Sequence, residues 1–180
     1  MRQIKSYNIN MSLKIEKGDI TLYDVDAIVN AANCSLLGGG GVDGAIHSAA
    51  GRGLLEECIT LHGCKTGEAK ITKGYNLKAR HVIHTVGPVY FRYSPEESEH
   101  LLENCYKNSL EIARKNGCKS VAFPLISAGV YGYPKEEALN VAVRTIKKYG
   151  ANMNIMLVLF DIEAWNIAQK NFKDLTNQNQ

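Results

Sequence analysis

The sequence predicts one α/β domain with a mainly parallel sheet. Short apolar segments of strand length alternate along the chain with amphipathic segments of helix length, an order typical of parallel sheets that helices cover on both faces. The length of 180 residues suits a single domain, and an apolar content of 45% is typical of a globular chain with one core. In such folds ligands bind at the carboxyl ends of the strands, so the loops that follow the strands are the first candidates for a functional site.

Six segments have the composition of strands. Apolar or alternating residues predict strands at 13–16, 26–30, 69–72, 81–86, 120–126 and 154–160. The last of these, NIMLVLF, is the most apolar, and we expect it to be central in the sheet.

Helical spacing and capping residues predict helices between these strands. The clearest start is Ser94-Pro95-Glu96-Glu97, because it combines a Ser cap with Pro at the first helical position. We expect Gly51 and Gly53 to separate the first two helices. The predicted helices cover 43–50, 54–61, 95–116, 134–149 and a last segment around 165–172.

Composition limits the compartment and the partners. The net charge is +3, from 21 basic and 18 acidic residues, and no basic cluster supports binding to nucleic acid. The N-terminus lacks the apolar stretch of a secretory signal, and no apolar run is as long as a membrane span. We therefore expect a cytoplasmic monomer without a membrane anchor. Residues 1–11 are predicted to form a short arm, 12–175 the domain and 176–180 a flexible tail.

The cysteines predict neither a disulfide framework nor a zinc site. Their number is odd and no CxxC pair occurs, so we expect reduced, buried thiols. They are Cys34, Cys58, Cys64, Cys105 and Cys118.

The most informative segment is residues 33–44, NCSLLGGGGVDG, which follows the second predicted strand. Four consecutive glycines let backbone N–H groups approach a ligand, and a helix start favours an anion such as phosphate. Asp43 follows the glycines at once. A carboxylate beside a phosphate-binding loop repels the ligand, so its presence suggests chemistry as well as binding.

A second glycine-containing loop, SAGVYG at residues 127–132, follows the strand at 120–126. Two such loops at neighbouring strand ends could hold a diphosphate from both sides, although two ordinary tight connections remain an alternative. Gly39, Gly41 and Gly44 also match the dinucleotide-binding pattern GxGxxG. The match is weak because eight residues separate Asn30 from Gly39, and no acidic residue closes the next strand.

Together these segments resemble the macrodomain family, and in particular its MacroD-type branch. The resemblance covers nearly everything from Leu13 to Phe172. An asparagine, six residues and then Gly-Gly-apolar-Asp define the branch, and Asn33 with residues 40–43 fits that pattern. The matching segments are GDIT (18–21), VNAAN (29–33), GGGVDGAIH (39–47), IHTVGP (83–88) and the loop from 127 to 134.

The resemblance implies a three-layer α/β/α fold with a six-stranded mixed sheet, and ADP-ribose as ligand. For this branch it implies hydrolysis of ADP-ribose from acidic side chains of mono-ADP-ribosylated proteins and deacetylation of O-acetyl-ADP-ribose, with no cofactor and no metal. The implied catalytic residues are Asn33, Asp43 and His47. The implied ADP-ribose-binding residues are Asp19, Ile20, Asn33, Gly40, Gly41, Val42, Ser127, Ala128, Gly129, Val130, Tyr131 and Phe160.

Each role has a structural alternative. Asp43 could cap the helix that begins there, Asn33 could be a turn residue, and Asp19 could cap a short helix at 20–24. His47 lies one helical turn after Asp43 and can contact it. His84 lies within an apolar strand, where we expect a core histidine with its hydrogen bonds satisfied. The spacing of Trp165 likewise predicts a core residue.

Three functions remain open at this stage. The first is an ADP-ribosyl hydrolase, which the pairing of Asp43 with Asn33 favours. The second is a module that binds ADP-ribose without cleaving it. The third is an unrelated nucleotide-dependent enzyme, such as a dehydrogenase, built on the GxGxxG match. Relatives often have Ser-Thr-Gly in the second loop, and Ala128 replaces the threonine; we expect a modest effect on affinity.

Overall fold

The protein folds around one six-stranded mixed sheet. The computed structural model describes residues 10–176. The strands lie in the order β1-β6-β5-β2-β4-β3, and every neighbouring pair is parallel except β3 with β4. The predicted α/β class with a mainly parallel mixed sheet is confirmed. The strands are β1 (Ser12–Lys17), β2 (Ala27–Ala31), β3 (Ala69–Lys73), β4 (His81–Thr85), β5 (Ser120–Phe123) and β6 (Asn154–Leu159).

Helices cover both faces of the sheet and give three layers. One core cluster joins the sheet to α3, α4 and α5, and a second joins it to α1 and α2 on the other face. Trp165 packs half-buried against the first cluster, as predicted. The helices are α1 (Gly41–Ala50), α2 (Arg52–Thr60), α3 (Pro95–Lys115), α4 (Lys135–Tyr149), α5 (Ile162–Asn171) and α6 (Lys173–Thr176), with 3-10 turns at Ile20–Leu22 and Tyr90–Arg92.

The boundaries of the first two helices differ from those predicted. The first helix begins at Gly41, two residues before Asp43, and Gly40 is its N-cap. Gly51, in the left-handed region at φ 83°, separates α1 from α2. Gly53 lies inside α2 and does not interrupt the helix. Its lack of a side chain has a packing reason, since a Cβ there would lie 2.5 Å from the Tyr75 ring.

Two strand predictions also need correction. β5 ends at Phe123 and not at residue 126, because Pro124 has no N–H to continue the ladder. The very apolar β6 is an interior strand but not a central one, since it lies second from the edge, between β1 and β5.

Four of the cysteines are buried as predicted, but Cys34 is exposed. It lies in the loop after β2, where the chain runs over the surface. Burial raises the pKa of the Cys58 and Cys64 thiols to about 11. All five cysteines are free thiols.

No helix within residues 10–176 has both the length and the apolar character needed to cross a lipid bilayer. In the same range, no three His, Cys, Asp or Glu side chains are grouped so that they could hold a metal ion. Most of the predicted arm and tail lies outside the described residues, so the domain boundaries stay predictions.

Candidate functional site

The two glycine-containing loops leave the same edge of the sheet. The glycine loop (residues 32–40) connects β2 to α1, and the second loop (residues 124–134) connects β5 to α4. β2 and β5 are neighbouring parallel strands, with Ala27 opposite Val121 in their register. Because parallel strands end at a common edge, the two loops lie side by side over the carboxyl ends of the sheet.

The backbone of the glycine loop is shaped to leave open space in front of it. Gly38 and Gly41 adopt positive φ angles of 93° and 56°, which side chains disfavour. A Cβ on Gly44 would lie 2.5 Å from the Gly39 carbonyl oxygen, so the loop packs tightly on α1. A Cβ on Gly40 or Gly41 would meet nothing within 4 Å. These two glycines therefore face outward, where a ligand can approach the backbone.

Both loops present unused backbone donors. No side chain caps α1, so the N–H groups of its first turn remain available. Positive charge density at a helix start, together with such donors, favours an anion. The N–H groups that donate no hydrogen bond within residues 10–176 include those of Gly40, Gly41, Val42, Gly129, Val130 and Tyr131.

The second loop is held in an unusual conformation by specific contacts. Ser127 has a φ of 66°, a region that residues other than glycine rarely adopt. Its hydroxyl donates to the Pro88 carbonyl at 2.8 Å, and its carbonyl accepts from the Tyr133 N–H at 2.9 Å. Gly87 permits this arrangement, because a Cβ there would lie 2.2 Å from the Ser127 Oγ. The tip of the loop, at Val130, is fully exposed.

Asp43 is a buried carboxylate directly beneath the glycine loop, with only 5% of its surface exposed. Its Oδ1 accepts a hydrogen bond from the Asn30 Nδ2 at 2.8 Å and lies 3.5 Å from the His47 Nε2. Its Oδ2 lies toward Gly39, 3.0 Å from where a Cβ would stand. The alternative of Asp43 as the helix cap is wrong, since Gly40 is the N-cap of α1 and Asp43 is the third residue of the helix.

Asn33 holds the glycine loop in shape, as the turn alternative predicted. Its Nδ2 donates to the Gly38 carbonyl at 2.9 Å, and its Oδ1 accepts from the Ser35 N–H at 3.1 Å and the Ser35 hydroxyl at 2.6 Å. The same Nδ2 lies 3.4 Å from a Cβ built on Gly39. Asn33 and the Oδ2 of Asp43 therefore face the same point of the loop.

Tyr131 brings the second loop to the same place. Its side chain is half-buried, and burial raises the pKa of its hydroxyl, with the nearby Cys34 and Asp43 adding to the effect and Arg92 opposing it. The Tyr131 carbonyl accepts from the Tyr90 N–H at 2.9 Å, which fixes this part of the loop. Asn33, Asp43 and His47 thus lie together beside the glycine loop, and Tyr131 lies near them on the second loop.

The other predicted binding residues lie at the end of β6, which neighbours β5, and at the end of β1, the strand beyond it. Asp19 follows β1 and caps the turn at Ile20–Leu22, since its Oδ1 accepts from the Thr21 N–H at 2.9 Å. Phe160 follows β6, which is paired with β1, and 84% of its surface is exposed. The Ile20 N–H donates no hydrogen bond within the described residues. These three residues lie at the same edge of the sheet as the two loops.

Sequence reasoning missed Asn30, the residue that contacts the buried carboxylate. Asn30 is fully buried in β2, and its Nδ2 also lies 3.2 Å from the Nδ1 of His84. A signal for it exists, because an asparagine within the apolar segment AIVNAA needs a buried polar partner. His84 itself is a satisfied core histidine, as predicted, with its Nε2 3.0 Å from the Thr72 hydroxyl. Burial and the nearby His47 lower the pKa of His84 to about 3.

An α/β sheet whose strand ends carry two loops of unused N–H donors defines a protein that binds an anionic, phosphate-bearing ligand. The sequence pattern described as "Macro domain" matches residues 29–142. The chain therefore belongs to the macro domain family. This assignment removes the dehydrogenase alternative.

Relatives support the same assignment along most of the chain. A macro domain-containing protein of Mesorhizobium japonicum is 65% identical over 134 residues, which cover 74% of this chain and 76% of the relative. Human ADP-ribose glycohydrolase MACROD2 is 54% identical over 147 residues, covering 82% of this chain but only 34% of the human protein.

Solved structures show the same fold. A glycine-to-valine mutant of the Oceanobacillus iheyensis macrodomain, determined with ADPR, has a TM-score of 0.86 at 44% identity and covers 94% of this chain and 96% of that one. The Trypanosoma brucei macrodomain in complex with ADP-ribose has a TM-score of 0.77 at 43% identity and covers 88% and 68% of the two chains.

Proposed function

We propose that this protein is an ADP-ribosyl hydrolase that releases mono-ADP-ribose from Glu and Asp side chains and deacetylates O-acetyl-ADP-ribose. The observation that carries the proposal is the buried Asp43 carboxylate, held by Asn30 beside two loops of unused backbone donors. A module that only binds an anion has no use for a second anion at that position. A human relative named ADP-ribose glycohydrolase and relatives solved with ADP-ribose support the choice of ligand.

The strand order sets the direction in which the proposed ligand would lie across the strand ends. Asp19, Ile20 and Phe160 lie at the ends of β1 and β6, and the two loops lie at the ends of β5 and β2. These four adjacent strands span roughly 14 Å, from three spacings of about 4.8 Å. Adenine would lie at the first end, the diphosphate over the loop N–H groups, and the distal ribose between Asn33 and Tyr131.

Asn33 can contact a ribose without giving up its place in the loop. One of its two Nδ2 hydrogens is donated to the Gly38 carbonyl, so the other is available to donate to the oxygen of a ribose hydroxyl. Ser127, Ala128 and Gly129 contribute backbone to the wall that faces the diphosphate. Because this contact uses backbone donors, Ala128 in place of threonine has little effect on it.

The chemistry follows from the two unequal oxygens of Asp43. Oδ1 is held by Asn30, and Oδ2 faces the loop. A water held between Oδ2 and a substrate phosphate loses a proton to the carboxylate and attacks the ester, at the anomeric carbon or at the carbonyl. Either route breaks the ester into free ADP-ribose and a carboxylic acid. General base help of this kind contributes ~10²–10⁴-fold. The His47 Nε2 lies 3.5 Å from Oδ1 and has no hydrogen-bond partner among the described residues.

The test compares cleavage with binding in the same variants. Asp43→Asn preserves shape and removes the charge, and Asp43→Ala removes both. Both variants should lower the single-turnover release of ADP-ribose from a glutamate-modified protein by ~10²-fold or more. Calorimetry with free ADP-ribose should give an unchanged or slightly tighter Kd, because a repulsive anion is gone. Glu111→Gln, on the exposed face of α3, is the matched control.

Two results would contradict the proposal in different ways. ADP-ribose binding by the wild-type protein without any release of ADP-ribose would favour the binding module. Full activity of Asp43→Ala would transfer the role of base to another group.

A further inference from the structure

A continuous line of buried polar groups runs from the outer part of the sheet to Asp43. Thr72 on β3, His84 on β4 and Asn30 on β2 are each at most 3% exposed. The Thr72 Oγ1 lies 3.0 Å from the His84 Nε2, the His84 Nδ1 lies 3.2 Å from the Asn30 Nδ2, and that Nδ2 donates to Asp43 at 2.8 Å. Burying a polar group costs free energy unless new hydrogen bonds replace those it made with water. Buried polar groups without a role are therefore rare.

The charge of Asp43 fixes the orientation of the Asn30 amide. If the amide were turned over, its oxygen would face the carboxylate at 2.8 Å, and two acceptors would oppose each other. The amide nitrogen therefore faces Asp43 with one hydrogen and His84 with the other. The Asn30 Oδ1 is left buried without a hydrogen bond among the described residues. An acceptor is thus left unsatisfied so that both donors can be used.

The same logic fixes the proton on His84. Its Nδ1 faces an amide N–H and must be an acceptor, so the ring proton is on Nε2. That proton is donated to the Thr72 Oγ1, with the Cys58 Sγ at a longer 3.7 Å. The Thr72 hydroxyl hydrogen can then be donated to the Lys73 carbonyl at 3.1 Å or the Val82 carbonyl at 3.5 Å. Every group in the line has one consistent arrangement of protons.

We propose that His84 is a positioning residue, which Thr72 holds in the Nε2–H tautomer so that Asn30 presents its N–H to the Oδ1 of Asp43. This inference rests on the proposed hydrolase function. Its consequence is that Oδ2 alone is left for the attacking water. Loss of the hydrogen bond between Thr72 and His84 removes the second partner that holds the Asn30 amide and lets the amide and the carboxylate shift together, which lowers the rate of cleavage without altering the surface that holds ADP-ribose.

Thr72→Val and Thr72→Ser are the matched variants that test the line of hydrogen bonds from Thr72 to Asp43. Valine keeps the shape and removes the acceptor for the Nε2 proton, whereas serine keeps the hydroxyl. We expect Thr72→Val to lower the single-turnover rate by about tenfold or more while the Kd for ADP-ribose stays within about twofold of wild type. Thr72→Ser should keep the wild-type rate. A purely structural role would shift the Kd together with the rate, or leave both unchanged, and would overturn the proposal.

The tautomer supplies a readout that needs neither substrate nor a variant. The ¹⁵N NMR shifts of the His84 ring in the wild-type protein should show a protonated Nε2 and an unprotonated Nδ1. A protonated Nδ1 would overturn the proposal even if Thr72→Val did not fold. If the tautomer is as expected but wild-type protein releases no ADP-ribose, the proposed function fails and the positioning of Asp43 stands.

Discussion

The hydroxyl of Tyr106 accepts a hydrogen bond from the backbone N–H of Ile126 at 3.1 Å. The same hydroxyl donates to the Pro124 carbonyl at 3.2 Å. Tyr106 is fully buried on α3, and its ring packs against Phe123 with 5.2 Å between the ring centroids. A single side chain from a helix thus holds the start of the second loop, just where β5 ends.

We predict that Tyr106→Phe weakens ADP-ribose binding and lowers stability together. The change leaves the buried Ile126 N–H without a partner, which costs about 1–3 kcal/mol, and it releases the loop that carries Gly129 and Val130. Calorimetry should show a Kd several-fold weaker, and urea unfolding a lower midpoint. Tyr149→Phe, which removes a hydroxyl from the half-buried last residue of α4, should change neither. An unaltered Kd for Tyr106→Phe would mean that the loop keeps its shape without this bond.

Gly40 is the position at which ligand binding can be blocked with the least damage to the fold. Its φ of −97° suits any residue, and a side chain there would meet nothing within 4 Å. We predict that Gly40→Glu abolishes binding of ADP-ribose, because the carboxylate would lie where the diphosphate belongs. Gly40→Gln adds nearly the same bulk without the charge, so the difference in Kd between the two variants measures repulsion alone. Thermal unfolding of both should stay close to wild type.

Gly41→Glu should also abolish binding, but it should destabilise the protein as well. Gly41 has a φ of 56°, and a non-glycine residue in that region costs about 1–2 kcal/mol. A lower Tm for Gly41→Glu than for Gly40→Glu, with both failing to bind, is the expected pattern in calorimetry and thermal unfolding. Equal Tm values would mean that the start of α1 adjusts to the new side chain.

The linkage between ADP-ribose and protein should decide which substrates are cleaved. We predict release from Glu and Asp esters and no release from arginine N-glycosides. A carboxylate is a stable leaving group, whereas a guanidine leaves only with strong assistance because its pKa is above about 12. Incubation with matched ester-modified and arginine-modified proteins, followed by measurement of free ADP-ribose, checks this. Efficient release from the arginine-modified protein would place the chain in a different branch of its family.

His84 should make the stability of the protein depend on pH. Burial lowers its folded-state pKa to about 3 from the ordinary value of 6.5. Between these values the unfolded chain binds a proton that the folded protein does not, so the free energy of unfolding falls as the pH drops below 6.5. The slope from this one group reaches at most about 1.4 kcal/mol per pH unit. Urea unfolding between pH 7 and 4.5 should show a shallower decline for His84→Gln than for wild type.

Periodic patterns predicted the fold well because they reflect burial. The alternation of apolar strands and amphipathic helices gave all six strands and the α/β class, and the Ser94 cap with Pro95 marked the start of α3. One error fell where tertiary packing decides. Gly53 stays helical because the Tyr75 ring covers it, and a ring from another element leaves no trace in the local pattern.

The loops of the candidate site were predictable from the sequence, but the buried contacts beneath them were not. The glycines and Asp43 stand out because they break the usual composition of a folded domain. Asn30 stands out less, because its place in an apolar segment predicts a buried polar partner without saying which residue that partner is. Its contact with Asp43, and through His84 with Thr72, depends on the order β2-β4-β3 in the sheet, which no local pattern contains.

The Gly18 N–H donates to the Leu159 carbonyl at 3.0 Å, and this bond joins the first strand of the chain to the last. The family pattern spans residues 29–142, so β1 and β6 both lie outside it. Under the proposed function, bond cleavage is encoded in the middle of the chain and recognition of the base at its two ends. The preference for a nucleobase can therefore change through substitutions near residues 19 and 160 while the hydrolytic machinery remains intact.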